Sequence, residues 1–222
     1  VGSSFTVGVT SDFLKPDGTC GFGDIGLDRF DKAGLLWSYF DSTNGTVTAE
    51  SAARFDAMLV LGPKVTRQTL LKDSRLRLVA RFGVGYDNID VPACTDSGVL
   101  LTITPDGVRR PVAVAALTLL LALSHKLLIK DKLTRNGGWS NKLHYNGQGV
   151  TGRTMGIIGF GNIGQELARI AAPLQMKLTA YDPYFNEAEG KALNVTSMSL
   201  DDLLTHADYV VVCCGLNADT HH

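Results

Sequence analysis

The sequence lacks the charge excess and the cysteine pattern that would assign it to a specialised class of protein. Its 21 basic side chains nearly cancel its 22 acidic ones, and a net charge of −1 gives no basic excess for nucleic acid or an anionic membrane surface. Its four cysteines form no CxxC pair and no disulfide framework, so we expect no metal site and a reducing, cytoplasmic compartment. Cys213 and Cys214, at the end of an apolar run, are interpreted as small buried thiols.

Long hydrophobic runs are also missing. The longest, residues 112–123, is broken only by Thr118 and is shorter than the roughly 20 residues that span a membrane. Its alanine and leucine content favours a buried helix. The first ten residues carry no signal-peptide pattern, and the chain does not begin with Met, so we expect a trimmed start or a fragment.

What the sequence does contain is an alternation of short β-branched runs with helical patterns, which is typical of βαβ units. A turn composition at 104–107 separates two such regions, 1–104 and 105–222. We therefore predict an α/β protein with two Rossmann-like or flavodoxin-like domains, each built on a parallel sheet.

Local signals place several helices. Asp90 is a predicted N-cap, with Pro92 in the first turn. Pro111 is predicted to start a long helix from Val112 to about Thr134, and residues 65–72 have helical spacing.

One motif carries chemistry: Gly159-Phe160-Gly161-Asn162-Ile163-Gly164, a GxGxxG between a predicted strand and a predicted amphipathic helix. Gly159 would permit the tight turn, Gly161 would leave room for a pyrophosphate, and Gly164 would let the helix pack closely. The N–H groups at the helix start, near Asn162 and Ile163, would then face the phosphates. The alternative is a tight turn that binds nothing.

A carboxylate indicates which dinucleotide would bind. Asp182 ends the next predicted strand, 182 − 164 = 18 positions after the last glycine, near the spacing of about 20 expected for the residue that accepts the ribose hydroxyls. Such a carboxylate repels a 2′-phosphate, which favours NAD over NADP. The alternative is an Asp that only caps a loop.

Several ordered motifs together resemble those of the D-isomer-specific 2-hydroxyacid dehydrogenases. They are Arg81–Asp90 (RFGVGYDNID), the Thr104-Pro105 turn, Trp139, the glycine fingerprint, Tyr181–Tyr184 (YDPY) and Ala207–Leu216 (ADYVVVCCGL). The resemblance implies an N-terminal part of a substrate-binding domain in 1–104 and an NAD-binding Rossmann domain in 105–222 that is incomplete at its C-terminus. It also implies a homodimer packed through the long helix.

The resemblance further suggests ligand contacts. The loop at Gly83, Val84 and Gly85 would bind a substrate carboxylate through backbone amides, as consecutive N–H groups between glycines can do, although a plain turn would look the same. Cys214 and Thr220 would approach the adenosine half of NAD.

Two cations stand close to the start of the long helix, where the helix dipole disfavours them. We expect Arg109 and Arg110 to point into water. The alternative is that one of them, such as Arg109, meets an anionic substrate.

The family's catalytic Arg, Glu and His lie beyond the segment that matches this chain, so no catalytic residue is assigned here. His125, His144 and His206 are expected to be structural or on the surface. We expect a fragment of an oxidoreductase that exchanges hydride between NAD and a 2-hydroxy or 2-oxo acid, inactive as this chain alone. The alternative is a non-catalytic protein that binds or senses NAD.

Overall fold

Strands and helices alternate along the chain in the computed structural model, which describes residues 5–217 and 219–221. The chain divides into two units, Val1–Pro105 and Asp106–His222, and each has its own parallel sheet. The predicted α/β class with two parallel sheets is confirmed. The division falls one residue after the boundary that the turn composition predicted.

The first unit contains five parallel strands in the order β2-β1-β3-β4-β5. The strands are β1 (Thr6–Thr10), β2 (Leu36–Phe40), β3 (Ala57–Val60), β4 (Leu78–Arg81) and β5 (Leu100–Thr102). The helices are α1 (Asp28–Lys32), α2 (Ala49–Ala52) and α3 (Val91–Asp96), with a 3-10 turn at Ser11–Phe13. Asp90 caps α3 as predicted, because its side chain accepts the Ala93 N–H at 2.9 Å. Met58 and Val79, from adjacent strands, are fully buried in the main hydrophobic core, whereas Val9 of β1 is fully buried on the opposite face of the sheet.

The second unit contains four parallel strands in the order β8-β7-β6-β9. The strands are β6 (Thr154–Ile158), β7 (Lys177–Tyr181), β8 (Val195–Ser197) and β9 (Tyr209–Val212). The helices are α4 (Pro105–Ser124), α5 (Leu127–Arg135), α6 (Asn162–Ala171), α7 (Glu187–Ala192) and α8 (Leu200–His206), with 3-10 turns at Trp139–Tyr145 and Ala172–Leu174. Met155 and Ile157 of β6, Leu167 of α6 and Leu203 of α8 are fully buried, so both helices pack on the central strand.

The long helix predicted from Val112 to Thr134 is wrong in its bounds. Helix α4 begins at Pro105, because a proline in the first turn lacks only an N–H that has no helical acceptor. Pro111 therefore lies inside α4 rather than at its start. The helical path ends before Lys126, whose φ of 52° is left-handed, and α5 begins after it.

The prediction that the apolar run 112–123 is buried is also wrong. Leu119 and Leu123 are 71% and 73% exposed, whereas Ala113 and Leu120 are buried against the sheet. One face of α4 is thus apolar and open within this chain. By length and mean hydropathy alone, α4 would also qualify as a membrane-spanning segment, a test that single helices of soluble proteins pass as well.

Residues 65–72 form a turn instead of the predicted helix. The Thr69 hydroxyl accepts the Thr66 N–H at 3.1 Å and donates to the Val47 carbonyl at 2.6 Å. Short hydroxyl side chains that bond to nearby backbone compete with helical hydrogen bonds. The chain here follows the threonine contacts rather than the apolar spacing.

Candidate functional site

The GxGxxG motif forms the connection between β6 and α6, as predicted. Gly159 has a φ of +94°, and a Cβ there would lie 2.5 Å from the backbone nitrogen of Cys214. A Cβ on Gly164 would overlap the Gly159 carbonyl oxygen and lie 3.2 Å from Cγ2 of Ile157. Glycine is thus required at both positions because other backbone atoms or a buried side chain come too close for a Cβ. At Gly159 the close backbone is that of Cys214, in the segment after β9.

Gly161 differs from the other two glycines. An ideal Cβ there meets nothing within 4 Å, and its φ of −76° is open to any residue. Gly161 is the N-cap of α6 and provides no side-chain cap, so the N–H groups of Asn162 and Ile163 have no acceptor within the helix. Space, free donors and the positive end of the helix dipole coincide, which suits a phosphate.

Asp182 follows β7 and lies beside the glycine loop. Its Oδ2 accepts the Phe160 N–H at 2.7 Å, and its Oδ1 accepts the Tyr184 N–H at 2.8 Å. The structure therefore gives this carboxylate the capping role that was the alternative interpretation. Each carboxylate oxygen can accept two hydrogen bonds, so the caps leave acceptor capacity for ribose hydroxyls. The two roles are compatible.

Two supports of the loop were missed by sequence reasoning. The Phe160 ring stacks on Phe185, with centroids 4.9 Å apart and planes inclined by 22°. Glu166 of α6 is buried, accepts Arg110 Nη1 of α4 at 2.8 Å and accepts Arg169 Nη1 at 2.5 Å. Burial by itself would raise the pKa of Glu166, but these two guanidinium groups hold it below its ordinary value. The ionised carboxylate ties α4 to the helix that follows the glycine loop.

The Arg110 side chain is 69% exposed, in line with the expectation that it points into water, but its guanidinium also pairs with the buried Glu166. Arg109 lies within α4, and its guanidinium is 3.7 Å from the Asp106 carboxylate one turn earlier. This exposed contact gives no sign of a ligand.

The segment after β9 contains the two predicted adenosine contacts. Cys213 is partly buried, and burial together with neighbouring Cys214 raises its pKa to about 11, so its thiol stays neutral. Cys214 is exposed, contrary to the buried thiol expected, and its backbone packs on Gly159. The Thr220 hydroxyl donates to the Gly215 carbonyl at 2.6 Å and so closes a local loop.

The predicted carboxylate loop lies in the first unit, directly after β4. Gly83 has a φ of +138°, its N–H donates to the Thr104 hydroxyl at 2.9 Å, and its carbonyl accepts the Thr104 N–H at 2.9 Å. The segment after β5 thus fixes the base of the loop. Val84 is partly exposed and Gly85 is exposed, so the tip of the loop is open to solvent. Within the residues that the structure describes, no three His, Cys, Asp or Glu side chains cluster as metal ligands would.

Comparison with known proteins identifies the class. Residues 117–222 match the family described as D-isomer specific 2-hydroxyacid dehydrogenase, NAD binding domain. The glyoxylate reductase of Thermococcus onnurineus is 34% identical over 194 residues, covering 84% of this chain and 58% of that protein. The D-3-phosphoglycerate dehydrogenase of Mycobacterium tuberculosis is 39% identical over 158 residues, covering 71% of this chain and 30% of the relative.

A solved structure extends the likeness across both units. The D-lactate dehydrogenase of Aquifex aeolicus, complexed with NAD and lactic acid, is 25% identical with a TM-score of 0.82, covering 97% of this chain and 62% of that one. Residues 117–222 are thus an NAD-binding domain of the D-isomer-specific 2-hydroxyacid dehydrogenase family. The chain spans 58% or less of the two curated relatives named above.

Proposed function

We propose that this chain is part of an oxidoreductase that acts on the CH–OH group of a 2-hydroxy acid, or reduces the corresponding 2-oxo acid, with NAD as the hydride carrier. The observation that carries the proposal is the open N-terminus of α6 at Gly161, with the Asp182 carboxylate bonded to the adjoining loop. NAD would supply the hydride acceptor for C2 of the hydroxy acid. The first-turn N–H groups of Asn162 and Ile163 would bind its pyrophosphate, and Asp182 would accept its ribose hydroxyls.

The substrate would be oriented from the first unit. Backbone N–H groups of Val84 and Gly85 lie at an open loop tip, where they can donate to a carboxylate without a charged side chain. Arg109 is proposed to contact the substrate, and Cys214 and Thr220 are proposed to contact the adenosine half of NAD. The substrate is proposed to be a small 2-hydroxy or 2-oxo acid, and the compartment to be the cytoplasm.

The chain alone is proposed to bind NADH without turnover. Acid–base catalysis needs a group within hydrogen-bond reach of the reacting oxygen. His125 lies between α4 and α5, His144 lies in a 3-10 turn, and His206 is the last residue of α8. The Nδ1 atom of His206 is 2.7 Å from the Asp202 carbonyl oxygen. None of these three histidines follows the carboxyl end of a strand.

The test combines binding and activity. NADH affinity of this chain is measured by fluorescence titration, and oxidation of NADH is followed with glyoxylate, pyruvate, hydroxypyruvate and longer 2-oxo acids. The intact mass of the protein in its native source is measured in parallel. Activity of a longer native chain, with binding alone in this one, is the expected result. A native mass near 23.8 kDa with NADH binding and no turnover would instead favour a protein that binds or senses NAD.

We also propose that the intact protein is a homodimer that buries the apolar face of α4. Leu119 and Leu123 project from this face and are exposed within the chain. Sedimentation velocity of Leu119→Glu/Leu123→Glu should then give a monomer where the unmodified protein gives a dimer. Leu100→Glu, at a leucine that is 70% exposed in the first unit, is the control and should leave the dimer unchanged. A protein that is monomeric without any substitution contradicts the proposal.

A further inference from the structure

Three phenylalanine rings meet at the carboxyl edge of the first sheet. Phe13 follows β1, Phe82 follows β4, and Phe22 belongs to the excursion after β1. The ring centroids of Phe13 and Phe82 are 5.1 Å apart, those of Phe22 and Phe82 5.4 Å, and those of Phe13 and Phe22 5.9 Å. All three pairs are edge-to-face, an arrangement that aromatic quadrupoles favour. We call these three side chains the aromatic ledge.

The ledge presents one ring to solvent on a fixed support. Phe13 is fully buried, whereas Phe22 is 55% exposed. The excursion that carries Phe22 is held by a hydrogen bond from the Gly21 N–H to the Phe13 carbonyl at 2.7 Å and by an isolated bridge between Leu14 and Cys20. An ordered phenyl ring is therefore kept open to solvent although burying it further would be favourable.

The ledge adjoins the proposed carboxylate loop. Phe82 immediately precedes Gly83, and its N–H donates to the Val60 carbonyl at 2.9 Å, which fixes the chain where it leaves β4. At no more than about 3.6 Å per residue, the N–H groups of Val84 and Gly85 lie within roughly 11 Å of the Phe82 backbone. In parallel α/β sheets ligands bind outside the carboxyl ends of the strands, which is the edge where both features lie.

We propose that the first unit binds 2-oxo or 2-hydroxy acids whose C2 substituent is apolar, with an aryl group preferred, and that this substituent packs on the aromatic ledge through Phe22. The proposal rests on the proposed function, since the carboxylate of the same ligand is placed on Val84 and Gly85. The aryl ring of the ligand adds to the edge-to-face cluster of phenylalanine rings. The carboxylate of the ligand accepts hydrogen bonds from the N–H groups of Val84 and Gly85. Substrates without an apolar substituent, such as glyoxylate, make only the contact between their carboxylate and the loop N–H groups.

The test separates the two contacts by using ligands that lack one or the other. The ¹⁵N-labelled chain is titrated with phenylpyruvate, which carries both groups, with pyruvate, which carries only the carboxylate, and with phenylacetamide, which carries only the ring. We expect phenylpyruvate to bind about 2- to 12-fold more tightly than pyruvate, the factor that one aromatic pair supplies. Amide signals of Val84 and Gly85 should shift with both acids, and those around Phe22 with phenylpyruvate alone among the acids.

Variants identify the ring. Phe22→Ala should bring the two affinities together without changing the pyruvate affinity, and Phe22→Leu, which retains apolar area if the first variant misfolds, should lower the ratio less. Phe5→Ala is the matched control, because Phe5 is 46% exposed but lies at the opposite end of β1, and it should leave the ratio unchanged.

The outcomes distinguish this inference from the function on which it rests. Equal binding of both acids, with shifts confined to the 83–85 loop, overturns the ledge and leaves the carboxylate site intact. Binding of phenylacetamide as tightly as phenylpyruvate, with no shift at Val84 and Gly85, overturns the carboxylate site instead. If neither acid shifts any signal, both are wrong.

Discussion

Gly161 is the position where binding can be removed with the least effect on folding. An ideal Cβ on this residue meets nothing within 4 Å, and its φ of −76° suits alanine. Alanine is a poorer N-cap than glycine, so Gly161→Ala should cost about 1 kcal/mol or less of the free energy of unfolding. The added methyl group would occupy the space above the start of α6 where the pyrophosphate is proposed to bind.

The expected effect on binding is much larger. Loss of one hydrogen bond to a charged group costs about 1.5–3 kcal/mol. Gly161→Ala should therefore weaken NADH binding about 10- to 150-fold, because every 1.4 kcal/mol is a factor of ten. Fluorescence titration gives the dissociation constant, and thermal denaturation of the same samples gives the stability.

A matched substitution provides the control. Gly149 also has nothing within 4 Å of an ideal Cβ and has no positive φ, but it lies in the connection before β6. Gly149→Ala should leave both NADH affinity and thermal stability unchanged. If Gly161→Ala binds NADH as tightly as the unmodified chain, the pyrophosphate does not lie over Gly161 and the reasoning fails.

Other substitutions address packing, charge and pH. Gly164→Ala should lower the free energy of unfolding by about 1–3 kcal/mol in urea denaturation, because the Cβ of the alanine would overlap the Gly159 carbonyl oxygen. An unchanged free energy of unfolding would show that α6 can move away from this oxygen. Asp182→Asn should reduce the preference for NADH over NADPH, measured as a ratio of dissociation constants, and an unchanged ratio would exclude contact with the ribose. Burial would raise the pKa of Asp56, but the ion pair with Arg75 and the hydrogen bonds from the Thr6 N–H and hydroxyl together outweigh this and hold the pKa below the ordinary 3.8. The stability supplied by the ionised carboxylate is thus present above pH 4 and is lost as the pH falls through the lower pKa of the folded state. The loss of unfolding free energy caused by Asp56→Asn should therefore shrink between pH 6 and pH 3. A loss that is the same at both pH values would contradict this linkage.

Features encoded by neighbouring residues could be predicted from the sequence. The glycine fingerprint between β6 and α6 and the Asp90 cap of α3 depend on spacing within a few residues, and both are present in the structure. The spacing of 18 residues from Gly164 predicts Asp182 at the end of the strand beside the glycine loop, and its bond to the Phe160 N–H confirms that proximity but not a ribose contact.

Features that depend on distant residues could not be predicted. The ion pair between Arg110 and Glu166 joins positions 56 apart, and no local pattern marks it. The exposure of Leu119 depends on what packs against α4, which composition does not reveal. The boundary of α4 was misplaced for another reason: Pro105 and Pro111 both suit a first turn, and the sequence alone did not distinguish them.

The Asp182 carboxylate is oriented before any dinucleotide arrives. Hydrogen bonds from the Phe160 and Tyr184 N–H groups hold its two oxygens, so its rotamer entropy is lost when the chain folds and not when a ligand binds. A preorganised acceptor lowers the ordering cost of association. An analogue without ribose hydroxyls at this position should therefore lose affinity chiefly in binding enthalpy, since the side chain gains no freedom when that contact is absent.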